Sequence, residues 1–159
     1  MKKLSTINVL VENNAGILTR ISSIFSRRGY NIESINAAVN GKGNKTRIIA
    51  TISEEEELVR QVVKQIEKLE DVINLEIMDD KNFISREMLI VRLKIHKKDY
   101  LELNALTNLY KANIIDYSKE DLYLELTGDR DKVNDFLAIV SKYQIEDVTR
   151  TGITGIKKY

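Results

Sequence analysis

The sequence predicts an α/β (α+β) protein made of two βαββαβ sandwiches in tandem. Three observations predict it. Apolar residues alternate with polar ones at strand period, as at Ile7, Val9 and Val11 and again at Ile48, Ala50 and Ile52. Between such stretches apolar residues recur at helical spacing, as at Ile17, Leu18, Ile21, Ile24 and Phe25. The succession of the two periods runs once to Met78 and starts again at Met88. Each run is the signature of a ferredoxin-like sandwich, in which helices cover one face of an antiparallel sheet.

In the first run, Leu4 to Glu12 is a strand, and Asn13-Asn14-Ala15-Gly16 breaks it. A helix follows to Arg28, stopped by Gly29. Ile32 to Val39 is the second strand, Asn40-Gly41-Lys42-Gly43-Asn44 a hairpin turn, and Thr46 to Ile52 the third strand. Ser53 and Glu56 have capping-box spacing and open a second helix with Leu58, Val62, Ile66 and Leu69 as its buried stripe. Val72 to Met78 closes the unit. The polar break Asp79-Asp80-Lys81-Asn82 is the expected boundary, giving domains of residues 1–79 and 83–159.

The second run begins with a strand from Met88 to Ile95. Tyr100, Leu103, Leu106 and Leu109 mark a helix, and Ile114 to Tyr117 and Leu122 to Leu126 mark two strands. Val133, Phe136, Leu137 and Val140 line a helix that opens near Asp129, and Ile145 to Thr149 is the closing strand. The end of the sequence, with Arg150-Thr151-Gly152 and Gly155, reads as a fraying end or as a contact surface for another protein.

Composition narrows the function classes. The 159 residues carry 25 Lys+Arg against 24 Asp+Glu, a net charge of +1, so no field gathers nucleic acid or anionic lipid. Zero Cys excludes thiol catalysis and Cys-ligated metal, and one His cannot build a multi-histidine metal site. The basic N-terminus leads into alternation rather than an unbroken apolar run, so neither a signal peptide nor a membrane span is expected. A soluble cytoplasmic protein is the simplest expectation, and the composition disfavours most enzyme chemistries.

Four features bear on chemistry. The loop Glu12-Asn13-Asn14-Ala15-Gly16 lies between a strand and the N-terminus of an amphipathic helix, where unpaired N–H groups favour an anion such as a carboxylate. An Asn-capped turn and a ligand site both fit it. Asn31 at the start of an apolar strand reads, alone, as a turn residue. His96 reads as a solvated strand end, and Glu54 to Glu57 as an acidic helix start rather than a metal site.

With these residues in place, the chain resembles a known family. Val9-Leu10-Val11-Glu12-Asn13-Asn14-Ala15-Gly16-Ile17-Leu18-Thr19-Arg20-Ile21 and Phe25-Ser26-Arg27-Arg28-Gly29-Tyr30-Asn31-Ile32-Glu33-Ser34-Ile35 resemble the small regulatory subunit of acetolactate synthase (acetohydroxyacid synthase). Arg86-Glu87-Met88-Leu89-Ile90-Val91 resembles the start of that family's second domain, and Arg150-Thr151-Gly152 its C-terminal motif. The resemblance implies an N-terminal ACT domain, an amino-acid-binding and dimerising module. It implies a subunit with no active site, which activates a catalytic large subunit and confers feedback inhibition by valine in branched-chain amino acid synthesis. Thiamine diphosphate, Mg and FAD would belong to that large subunit. Residue by residue, the valine site would take Asn13, Gly16, Ile17 and Leu18 from one chain and Asn31 and Ile32 from its partner. The C-terminal domain would contact the catalytic subunit. Two alternatives stand beside it. One is a free-standing tandem amino-acid sensor, which leaves the Arg86–Val91 and Arg150–Gly152 matches unexplained. The other is an acylphosphatase-like hydrolase, for which Arg20 and Asn31 exist but the phosphate-cradling loop does not.

Overall fold

The computed structural model describes residues 2–41, 43–79 and 81–159. The chain divides into two units, Met1–Ile84 with Gly152–Tyr159, and Ser85–Thr151. Lys42 of the expected hairpin turn and Asp80 of the expected boundary lie outside the described residues.

The first unit contains β1 (Lys3–Glu12), α1 (Ile17–Arg27), β2 (Ile32–Val39), β3 (Lys45–Glu54), α2 (Glu56–Ile66) and β4 (Val72–Met78). Its antiparallel sheet has the spatial order β2-β3-β1-β4. Strand alternation sends Ile7, Val9, Val11, Ile48, Ala50 and Ile52 to one face, where they pack with Ile17, Ile21 and Phe25 of α1 and Val59, Val62 and Ile66 of α2. A one-residue slip of β1 on β3 would turn this apolar set to the other face, so burial fixes the register. The other face carries Thr6, whose hydroxyl meets that of Thr51 at 3.2 Å, and Asn8, whose Oδ1 accepts from Arg47 at 3.1 Å.

The expected capping box does not form. Ser53 stands opposite Leu4 in the ladder, and β3 runs on to Glu54, so α2 starts at Glu56 without a side-chain cap bond. Its innermost residues are Val59, Val62 and Ile66; Leu58 and Leu69 are half-buried.

The second unit holds most of β5 (Phe83–Lys94), a 3-10 turn at Lys97–Asp99, α3 (Tyr100–Tyr110), β6 (Asn113–Tyr117), β7 (Asp121–Gly128), α4 (Arg130–Val140) and β8 (Gln144–Arg150). The sheet order is β6-β7-β5-β8, the same topology as the first. Leu89, Val91 and Leu93 of β5 pack with Leu122, Leu124 and Leu126 of β7, Leu103 of α3, and Val133, Phe136 and Val140 of α4. Both sheets therefore carry the fold class that the two periods imply. His96 is exposed and its N–H donates to Asp99 Oδ2 at 3.0 Å, which starts the 3-10 turn. Asp129 caps α4 by accepting the Lys132 N–H at 2.8 Å. No helix among the described residues is long and apolar enough to cross a membrane.

The stripe expected on α3 is displaced. Leu103 and Thr107 are buried, whereas Leu109 is 75% exposed. Spacing by three lags a 3.6-residue turn by about 60° per step, so the run Tyr100, Leu103, Leu106, Leu109 winds off the buried face. The helix closes at Lys111, the one described non-glycine residue with positive φ, 55°. The Lys111 N–H donates to Asn108 and the Ala112 N–H to Thr107, the bonds of a left-handed C-terminal cap. An L side chain in this region costs about 1–2 kcal/mol. Lys111→Gly should therefore stabilise the protein by roughly 0.5–1 kcal/mol, part of the gain being returned as glycine's extra entropy when unfolded. Denaturant unfolding of the full chain measures this, and an unchanged midpoint would mean the cap is unstrained.

The end of the chain is a strand, β9 (Thr154–Lys157), which pairs with β5. The expected second domain runs from residue 83 to residue 159; by contacts within the chain, residues 152–159 group with the first unit. Gly152 has φ 75°, and a Cβ there would stand 2.4 Å from Ser34 Cβ, so only glycine fits against β2. Asn36 Nδ2 donates to the Ile153 carbonyl at 3.2 Å, and the Lys158 N–H donates to the Asn82 carbonyl at 2.8 Å. Lys157 pairs with Glu76 at 3.4 Å.

Candidate functional site

Glu12 ends β1, and the chain turns through Asn13, Asn14, Ala15 and Gly16 into α1. Gly16 is the N-cap, with φ 83° and ψ 0°. No side chain caps the helix, and its first turn contains no acidic residue. The Ile17 N–H is bonded to the Asn14 carbonyl at 3.2 Å. The remaining first-turn N–H groups and the positive end of the helix dipole thus face outward without a carboxylate of their own helix to neutralise them.

The side chains divide by role. Asn13 is exposed; its Oδ1 accepts from Thr46 Oγ1 at 2.9 Å, and its N–H donates to the Asn44 carbonyl at 2.8 Å. Ile17 is 4% exposed and packs in the core, so it has only backbone to offer a ligand. Leu18, 42% exposed, is the apolar side chain left at the surface. Asn13, Gly16, Ile17 and Leu18 are therefore together at one turn.

Asn31 and Ile32 stand at a second place, the start of β2. Gly29 has φ 69° and donates to the Ser26 carbonyl, while the Tyr30 N–H donates to the Phe25 carbonyl, each at 3.1 Å. This closes α1 and directs the chain into β2. Asn31 is exposed and Ile32 half-buried against the core. β2 is an edge strand of its sheet.

Sequence reasoning missed one participant. Asp71, just before β4, accepts from Asn14 Nδ2 at 2.5 Å through Oδ1, and its Oδ2 pairs with the Arg20 guanidinium. The Asn14 bond foremost, with Arg20 beside it, holds the Asp71 carboxyl below the usual carboxylate range. Its ionised form accordingly favours the folded state above that range, and the contribution is lost as acid protonates Asp71. Nothing in the spacing from Asn14 announces Asp71; only sheet pairing of β1 with β4 brings it near. The Arg20 pairing also removes the free cation that a hydrolase reading needs. A shallow depression elsewhere, lined by Arg28, Gln61, Lys64, Gln65, Glu67 and Lys68, has long polar side chains around it and does not include the loop.

Comparison with known proteins gives matches over nearly the whole chain. Residues 7–74 match the family model described as AHAS small subunit-like ACT domain, and residues 86–159 match that of the small subunit of acetolactate synthase. The chain is 35% identical over 157 residues to an Archaeoglobus fulgidus protein named "Probable acetolactate synthase small subunit", covering 96% of this chain and 98% of the relative. It is 32% identical over 156 residues to an acetolactate synthase small subunit of Mycobacterium bovis, covering 98% and 93%. The crystal structure of the acetolactate synthase small subunit from Thermotoga maritima superposes with a TM-score of 0.87 at 28% identity, covering 99% of this chain and 98% of that one.

Proposed function

Because the chain belongs to the family of acetolactate synthase small subunits, whose role is regulatory and non-catalytic, we propose that it activates a catalytic large subunit and makes that enzyme sensitive to valine. The observation that carries the effector reading is the α1 N-terminus: opened by a left-handed Gly16, uncapped by any side chain, and without an acidic first-turn residue. On this reading the N–H groups receive the effector carboxylate, Asn13 orients its polar end, and Leu18 lies against its apolar side chain. Ile17 contributes backbone. Asn31 and Ile32 come from the partner subunit of a homodimer formed through the first unit. Thiamine diphosphate, magnesium and FAD belong to the catalytic subunit, and the second unit provides contact with it.

Edge strand β2 supports the dimer. It carries exposed Ile35 and Val39, apolar positions that pairing across a two-fold axis would cover. Sedimentation of the purified chain should show at least a dimer, and a monomer at micromolar concentration with and without valine counts against the shared site. The function itself is tested by titrating the reconstituted holoenzyme with each branched-chain amino acid. Activation without any response to the three would leave the subunit assignment and remove the effector reading.

A further inference from the structure

We infer that Asp71 is the positioning residue of the effector loop, an inference that rests on reading that loop as an effector site. Three bonds converge on it. Its backbone carbonyl accepts the Glu12 N–H at 2.9 Å, at the end of β1. Its Oδ1 accepts from Asn14 Nδ2 at 2.5 Å, in the middle of the turn. Its Oδ2 pairs with Arg20 in the first turns of α1. The partners stand before, within and after the segment that Gly16 bends, so one residue grips the loop at both ends and in its middle. The Asp71 side chain is 12% exposed, against 46% for Arg20. A carboxylate with so little water around it is held by its partners, and charge-assisted bonds make that hold directional.

The same arrangement disposes of a charge. α1 has no acidic residue in its first turn, and the Asp71 carboxylate beside it is engaged by Asn14 and Arg20. The dipole at the helix N-terminus is thereby left for an incoming anion. Arg20 acts as the counter-ion: without it, the Asp71 charge stands uncompensated close to where a ligand carboxylate binds.

The test uses the full chain and valine as the probe. Calorimetry on the wild type, Asp71→Ala, Asp71→Asn and Arg20→Gln gives four affinities, and NMR follows the Asn14 side-chain amide in the absence of valine. Asp71→Ala should weaken valine binding about tenfold or more, on the scale seen when the supporting shell of a metal site is removed, because the turn that presents the α1 N–H groups loses its ties to Asn14 and Arg20. Asp71→Asn keeps an acceptor for Asn14 and should lose less. Arg20→Gln should weaken binding in a way that shrinks as salt is raised, because added ions reach the uncompensated charge from the side that the half-exposed Arg20 guanidinium vacates. A general structural defect has no such salt signature. The Asn14 amide resonance should move and exchange faster in Asp71→Ala. If the wild type binds valine and Asp71→Ala binds within twofold of it, the positioning role is wrong while the effector site stands. If the wild type binds no valine, the effector reading fails and takes this inference with it.

Discussion

Replacing Arg150 with Ala should lower the unfolding free energy by about 2–3 kcal/mol, the lower part of the range for truncating one partner of a buried hydrogen-bonded charge pair, since Arg150 is itself partly exposed. The bond is bidentate: Arg150 Nε donates to Glu87 Oε1 at 2.7 Å and an Nη donates to Oε2 at 2.9 Å. Glu87 is 4% exposed, so the variant leaves a carboxylate that water reaches only through the place vacated by Arg150, itself 27% exposed. The two strands that carry the pair continue in step: the Thr151 N–H donates to the Met88 carbonyl, and the Met88 N–H donates to Thr151 Oγ1. Arg150→Lys should recover only part of the loss, because an ammonium cannot make two parallel bonds to a carboxylate. Denaturant unfolding measures both variants. A loss below about 1 kcal/mol for the Ala variant would place this pair with exposed ones.

The second large effect is on binding. Gly16→Asp should abolish detectable valine binding. Two physical terms add. At φ 83° an L side chain is strained by about 1–2 kcal/mol, although a Cβ there meets no atom within 4 Å, and this counts against binding as far as the unliganded loop relaxes out of that conformation. The new carboxylate also occupies the end of the helix dipole and repels the ligand's own carboxylate, which costs several kcal/mol more, about the scale of like charges brought together in an interface. Gly16→Ala separates them, since it carries the strain without the charge. Calorimetry with valine on the three proteins should rank wild type, Ala, then Asp. Wild-type affinity in the Asp variant refutes the site at Gly16.

Most of the fold was legible because the strands follow a strict period of two. Ile32–Val39 and Val72–Met78 were read at the bounds that the structure shows. Helix faces were less legible. On α3 the apolar spacing of three mimics a stripe but rotates away from it, and Thr107, not Leu109, completes the buried face. The capping-box reading at Ser53 failed because a ladder that extends to Lys3↔Glu54 claims that residue first. Half of the candidate site was visible as a turn before a helix, and Asn31 gained meaning only through resemblance. Asp71 was invisible to local spacing, since its partners come to it through pairing between β1 and β4. The last strand was missed for a similar reason: Thr154–Lys157 is short, and the residues on either side of it, Ile153 and Lys158, bond to Asn36 and Asn82 far back along the chain.

That last strand sets an order of assembly. The second unit, residues 85–151, is inserted in the first, which resumes at Gly152. On a ribosome the inserted unit emerges whole while its host still lacks its closing segment, and domains generally fold as units during synthesis. The Gly152 seat against Ser34 and the Asn36 bond to Ile153 are out of reach until then. The unit that begins the chain is thus the one completed last, and finishing it is a step that follows translation of everything between its two parts.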